Sequence, residues 1–336
     1  MHCKQFYFLT FSPSHFLTFK NSVLPFYFFT FKNMIYVDNL HKHYGRVDAL
    51  RGLSFSVGEG EIYGVIGPDG AGKTSLFRIL ATLMLPDGGR ATVDGLDVVR
   101  DYRELRRRIG YMPGRFSLYQ DLSVEENLWF FASVFNTTVE QNYGLIKDVY
   151  SRLEPFKTRR AGKLSGGMKQ KLALCCALIH APRVLLLDEP TTGVDPVSRR
   201  EFWQMLQRIS KEHGITVLVS TPYMNEASWC DRISLMQGGI LLQTGTPGEV
   251  CESYSANLFA VRSDDMHRLL GDMKSCPCAT SAFSFGDSIH VTLDGVTASS
   301  ALTEYLQQRG HTGVEVKRIR PSVEDCFMSL MKSQTV

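Results

Sequence analysis

The residues of this 336-residue chain that could do chemistry gather at two strand ends. The first is Gly67-Pro68-Asp69-Gly70-Ala71-Gly72-Lys73-Thr74-Ser75, which follows the apolar run IYGVIG at 62–67. It precedes a stretch in which Leu76, Ile79, Leu80 and Leu83 are spaced for one helix face. A glycine-rich turn between strand and helix can aim backbone N–H groups at phosphate oxygens, and the helix adds the positive end of its dipole. In such a loop Lys73 would reach the β- and γ-phosphates and the Thr74 hydroxyl would hold Mg²⁺. The second is Val184-Leu185-Leu186-Leu187-Asp188-Glu189-Pro190, an apolar run that reads as a strand buried on both faces and ends in two carboxylates. Asp188 could hold Mg²⁺ through water, and Glu189 could polarise a water for attack on a γ-phosphate.

A third stretch, Ser-Thr-Pro-Tyr-Met-Asn-Glu-Ala at 220–227, follows the apolar run 215–219. In open α/β sheets the carboxyl ends of strands are where ligands sit, yet Pro222 offers neither a side-chain donor nor a backbone N–H.

The elements that must position these residues are those of an α/β fold. YVDNL, LSFSV at 53–57 and IYGVIG alternate or run as strands. Ser123-Val124-Glu125-Glu126 is a capping box, with Leu128, Phe131, Ala132 and Phe135 following at helical spacing. After about residue 250, IHVTL at 289–293 and ASSALTEYLQQRG predict a small α/β appendage. Residues 1–33 hold nine of the 21 phenylalanines, and FLTFKN at 16–21 returns as FFTFKN at 28–33. This segment is expected to be an unstructured or spuriously translated leader, with Met34 as a start; a peripheral membrane anchor is the rival reading. Pro13, His15, Lys20, Asn21 and Pro25 interrupt any membrane span there.

The net charge of +3 comes from Lys4, Lys20 and Lys32, so the remaining chain balances 34 basic against 34 acidic residues and gives no support to nucleic-acid binding. Eight cysteines without a signal-peptide pattern suggest reduced thiols in the cytosol. Cys175-Cys176 fall in an apolar helical pattern and are expected in the core. Cys276-Pro277-Cys278 lacks a second Cys or His pair, so no metal ligand is assigned there.

The phosphate loop, Leu164-Ser165-Gly166-Gly167-Met168-Lys169-Gln170, LLLDEP and the later GVDP occur in an order that resembles the ATP-binding cassette ATPases of ABC transporters. The resemblance covers about residues 35–250. It implies a P-loop NTPase with a mixed, mostly parallel sheet, a nucleotide-binding domain at 34–250 with a helical subdomain at about 115–165, and an accessory domain at 251–336. It also implies that Tyr44 stacks on adenine, that residues 67–75 cradle the phosphates of ATP, that Asp188 and Thr74 serve Mg²⁺, and that Glu189 is the catalytic base. Ser165, Gly166, Gly167 and Asp195 would act in trans, on the nucleotide of a second cassette in a head-to-tail dimer. The tail RPSVEDCF at 320–327 is similar to those of cassettes serving ABC-2 type exporters, which implies separate permease subunits and a place on the inner face of the membrane.

Two positions depart from the family pattern. A Gln is expected after the GYMP-type segment 110–113, where Gly114 stands, and a His is expected at Pro222. The expected consequence is ordinary Mg-ATP binding with weakened hydrolysis in this chain's own site. An ATP-sensing regulatory cassette paired with a competent second cassette is the alternative. Cassettes that act on ribosomes or in DNA repair usually carry a second cassette or long coiled-coil insertions, and neither is visible here.

Overall fold

A computed structural model describes residues 33–293 and 299–333. The leader reading therefore falls outside the described residues except for Asn33, which opens the first strand. In chain order the elements are β1 (Asn33–Tyr44), β2 (Val47–Gly58), β3 (Ile62–Ile66), α1 (Lys73–Leu80), β4 (Gly88–Val93), β5 (Leu96–Asp97), α2 (Tyr102–Arg108), β6 (Ile109–Met112), α3 (Val124–Val134), α4 (Tyr143–Tyr150), α5 (Gly166–Leu178), β7 (Val184–Asp188), α6 (Pro196–His213), β8 (Thr216–Thr221), β9 (Arg232–Gln237) and β10 (Ile240–Gly245). They are followed by α7 (Pro247–Glu252), β11 (Asn257–Arg262), α8 (Met266–Lys274), β12 (Ala279–Phe285), β13 (Ser288–Leu293), α9 (Ser299–Gln308), β14 (Glu315–Arg318) and α10 (Val323–Ser333).

The central sheet runs β10-β9-β3-β8-β7-β6, parallel throughout except for the antiparallel edge strand β10. Every residue of β3, β7 and β8 is buried, as expected of strands covered on both faces, with polar residues only at the ends of β7 and β8. Alternate residues feed two cores. Leu185, Leu187, Val217 and Val219 face helices α3 to α6, while Val184, Leu186, Leu218 and Val65 face α1 and the antiparallel sheet β2-β1-β4-β5. The phosphate loop and the acidic strand end thus hang from the best-buried part of the molecule.

Helix α1 stops sooner than the Leu76–Leu83 spacing predicts. It ends at Leu80; Thr82 takes a left-handed φ of 60° and the Leu83 N–H turns back to Arg78 O at 2.8 Å. Leu83 is consequently exposed instead of sharing the buried face of Leu76, Ile79 and Leu80. The capping box at α3 forms as its residues predict. Glu126 N–H donates to Ser123 Oγ at 3.1 Å, and Ser123 N–H donates to the Glu126 carboxylate at 2.7 Å. Leu128 and Ala132 enter the core, whereas Trp129 and Val134 remain exposed.

The last sheet, β12-β13-β11-β14, is antiparallel and encloses its own core with α8 and α9. Helix α10 leaves that core and sets Val323, Cys326 and Phe327 into the main one. His290 of β13 meets Asp325 of α10 at 2.7 Å, which ties the returning helix to the appended sheet. No helix among the described residues is long and apolar enough to cross a membrane.

Replacing Ser123 with Ala removes one half of the α3 cap and is expected to lower stability by about 1 kcal/mol. A urea titration followed by circular dichroism, compared with ATP affinity, checks this: the midpoint should fall while nucleotide binding stays.

Candidate functional site

The loop at 67–75 is held tightly from behind. Gly67 N–H donates to Thr221 O at 3.2 Å, and a side chain at 67 would begin 2.0 Å from Met236 O. At Gly72, whose φ is 107°, a side chain would begin 2.3 Å from Ala49 O. Only glycine fits these two approaches. In the first turn of α1 there is no acidic residue and no side-chain cap. The N–H groups of Gly72, Lys73, Thr74 and Ser75 donate to no protein acceptor among the described residues. A helix start with free donors and no competing carboxylate is suited to an anion such as phosphate.

Lys73 lies almost wholly buried, with Nζ donating to Gly67 O at 2.7 Å and Pro68 O at 2.9 Å. Its third partner is Glu189 Oε1 at 3.1 Å. An anion in the loop would compete with that carboxylate for the ammonium.

Asp188 ends β7 in register with Ser220 of β8. It accepts from Ser220 Oγ at 2.7 Å and also hydrogen-bonds Thr74. Burial pushes its carboxyl above the usual range; the bonds from Ser220 and Thr74 and the Lys73 charge pull it down, while Glu189 adds to the rise. The Thr74 hydroxyl and the Asp188 carboxylate are hard oxygen donors side by side, a set that fits Mg²⁺. Thr74 and Asp188 would hold a dication there, and its charge would supply electrostatic stabilisation for a bound phosphoryl group.

Glu189 has a φ of 50°, a left-handed conformation costing a residue with a side chain roughly 1–2 kcal/mol. Its N–H is fixed by Ser220, through the carbonyl at 3.1 Å and Oγ at 2.9 Å. Its second oxygen is approached by Thr192 Oγ1 at 3.4 Å. Backbone strain of this kind persists only where neighbours over-determine it.

Other predicted residues fall into two groups. Tyr44 is about half exposed, with its hydroxyl 3.3 Å from Ser75 Oγ in the first turn of α1 and donating to Met84 Sδ at 2.9 Å. Asp69 and Gly70 lie exposed at the loop tip. Ser165 caps α5 by accepting from Met168 N–H at 3.4 Å, and Asp195 caps α6 by accepting from Val197 and Ser198 N–H at 3.1 and 2.9 Å. A side chain at Gly166 would begin 3.3 Å from Gly193 O, and one at Gly167 2.8 Å from Ser198 Oγ, so the 165–167 turn and the Asp195 loop lie together. Among the described residues no hydrogen bond or ion pair joins that turn to the phosphate loop.

Gly114 sits against the acidic strand, where a side chain would begin 3.1 Å from Asp188 O and 3.8 Å from its Oδ2. Gln120 is held elsewhere, its carbonyl accepting from Gly162 N–H at 2.8 Å. Pro222 follows Thr221, the residue paired with Ile66 and bonded to Gly67.

The ABC transporter family profile matches residues 50–192. The probable multidrug ABC transporter ATP-binding protein YbhF of Escherichia coli (strain K12) is 38% identical over 305 residues, 89% of this chain and 52% of the relative, so the chain spans about half of its length. The daunorubicin resistance ATP-binding protein DrrA2 of Streptomyces coeruleorubidus is 35% identical over 305 residues, 88% of this chain and 94% of the relative. The chain belongs to the ABC transporter family. A solved dimer of the ATP-binding cassette MJ0796 bound to ADP and Pi is 27% identical, covers 63% of this chain and 98% of that one, and superposes with a TM-score of 0.57.

This cassette also uses residues that its motifs do not point to. Ser220 holds both acids, and Glu226, 1% exposed, accepts from Thr191 Oγ1 at 2.7 Å and from Thr221 Oγ1, with Arg199 Nε 3.5 Å away. The only local trace of the second group is Thr221 five residues before Glu226; Ser220 and Thr191 are joined to their partners by the fold.

Two outcomes are expected. Because the folded state favours a neutral group at 188, Asp188→Asn should keep or raise the melting temperature of the nucleotide-free protein at pH 7, while Mg²⁺-dependent ATP hydrolysis falls by roughly 10² or more. Calorimetry and a phosphate-release assay on the same preparation test both. Tyr44→Ala should weaken ATP binding by about 10-fold, the loss of one base–aromatic stack of about 1–3 kcal/mol. Titration with a fluorescent ATP analogue measures it.

Proposed function

We propose that this cassette is the ATP-binding and ATP-hydrolysing subunit of an ABC-2 type exporter, working on the cytoplasmic face of the membrane with a second cassette and separate permease subunits. Its own hydrolytic site is weakened. The observation that carries the reading is the emptiness of the two strand ends that flank Asp188 and Glu189. Gly114 abuts Asp188 without a side chain, and Pro222 follows the Gly67-bonded Thr221 without a donor. Lys73, Thr74, Asp188 and Glu189 are together, so binding of Mg-ATP is kept while two contacts to the γ-phosphate and its attacking water are absent.

In the proposed reaction Lys73 leaves Glu189 for the phosphates, and Glu189 takes the proton of the attacking water. Asp188 and Thr74 hold Mg²⁺. Ser165, Gly166 and Gly167 serve the nucleotide of the opposite cassette, and Asp195 speaks across the same interface. A heterodimer whose second cassette turns over faster accommodates the asymmetry. An ATP-sensing cassette with little hydrolysis of its own is the second reading, favoured by the same two positions.

The permease would dock in the groove between the central sheet and α3. This groove of about 400 Å³ is lined by Leu83, Phe116, Phe131, Val134, Phe135 and His180. His180 stacks on Phe135 at 3.8 Å, uses Nε2 on Ile109 O, and leaves Nδ1 buried without a partner among the described residues. Residues 251–336 are read as an accessory domain because their sheet has a core of its own.

Restoring both side chains tests the reading. Gly114→Gln with Pro222→His should raise the turnover of the full chain at least 10-fold, with KM for ATP changed little, since one positioned transition-state contact is worth roughly 10² to 10³. Turnover of the unaltered protein that the restored variant does not exceed sinks the weak-site reading.

A further inference from the structure

We propose that Cys276 and Cys278 form a two-electron dithiol–disulfide site in the accessory domain, and that its co-reactant is a low-molecular-weight disulfide. Helix α8 ends before this pair, and Cys276 N–H still bonds Met273 O at 3.3 Å. Ala279 N–H donates to Cys276 O at 3.0 Å, closing a four-residue turn with Pro277 at its second position, where the fixed φ of proline favours such a turn. The turn brings the two Sγ atoms to 2.7 Å. Two thiolates around a tetrahedral zinc, with Zn–S about 2.3 Å, would stand about 3.8 Å apart. No cluster of three or more metal-ligating side chains occurs among the described residues. The spacing therefore favours a direct S–S bond of about 2.05 Å, reached by a movement well under 1 Å.

The two thiols have unequal access. Cys276 is 4% exposed, and Cys278 is half-buried and reachable. Cys278 thiolate attacks one sulfur of the small disulfide and expels the other half as a thiolate, leaving a mixed disulfide on Cys278. Cys276 gives up its proton, attacks Cys278 Sγ and displaces the second small thiol. The two protein thiols lose two protons and two electrons, and the small disulfide takes them up to become two thiols. Burial and then the Cys276 neighbour push the Cys278 thiol up to about 11, which keeps its thiolate scarce and the exchange slow at neutral pH. The charged and titratable groups around it are Tyr305, Arg309 and Asp272, with Arg309 bonded to Asp272 at 2.7 Å and lying over the Tyr305 ring.

Cys251 of α7 and Cys326 of α10 are also hydrogen-bonded to one another, so a change in whole-protein mass would not locate the reaction. The full chain is therefore treated with oxidised glutathione, alkylated, digested and mapped by mass spectrometry. The peptide holding both residues should lose two hydrogens and resist alkylation until dithiothreitol is added. The rate should rise about 10-fold per pH unit between pH 7 and 9. Cys276→Ser should instead retain one glutathionyl group on Cys278. Double alkylation of the treated peptide, a glutathionyl adduct on the unaltered chain as lasting as on Cys276→Ser, or oxidation of Cys251 and Cys326 alone would overturn the proposal. The first reading needs no variant to fold.

Discussion

Everything at this site depends on how two adjacent carboxylates are kept apart at the end of a buried strand. In a continuing strand Asp188 and Glu189 would point to opposite faces. The left-handed turn at Glu189 breaks that alternation, so its carboxylate reaches Lys73 while Asp188 stays with Thr74. A single residue, Ser220, makes the turn tenable. Its hydroxyl donates to Asp188 and accepts from Glu189 N–H, and its carbonyl takes the same N–H. The conformation that costs roughly 1–2 kcal/mol is thus offset by bonds from the neighbouring strand.

That dependence explains why the parallel register matters beyond packing. β7 is flanked by β6, where Met112 pairs with Leu187, and by β8, where Ser220 pairs with Asp188. Gly114 lies two residues past Met112 and Pro222 two residues past Ser220. The two departures are therefore placed symmetrically about the acidic strand, one at each flanking strand end. Neither disturbs the pairing that holds the acids, because both fall outside it.

The parts legible in the sequence are those whose cause is local. The phosphate loop, the apolar strand before Asp188 and the Ser123 capping box each carry their reason within about ten residues. Ser220 carried no such signal, since its task is set by a partner 32 positions away. Asn127 differs in that its partners are near in sequence: buried inside α3, it bonds Tyr119 and Ser123 carbonyls and accepts from Tyr119 N–H, but an asparagine within a helical pattern does not by itself announce that it pins the preceding segment. Leu83 was misplaced because helical spacing says nothing of a left-handed Thr82, whose conformation ends α1 one turn early. The tail motif indicated neither α10 nor its destination, which is the main core and not the sheet beside it.

Glu226 shows how the segment around Pro222 is held in place without help from position 222 itself. A carboxylate this deeply buried is tolerated only when its oxygens are satisfied, and here Thr191 and Thr221 hydroxyls donate while the Arg199 guanidinium supplies the opposing charge. Arg199 in turn lies 4.0 Å over the Tyr223 ring. The chain on both sides of position 222 is therefore anchored, through Thr221 before it and Tyr223 after it. Proline at 222 gives up no hydrogen bond that this framework uses, and its fixed φ stiffens the segment further. The strand end at 222 is thus fixed by Thr221 and Tyr223 whatever the side chain between them, so a change at 222 can alter the contacts offered to a ligand without moving the phosphate loop bonded to Thr221.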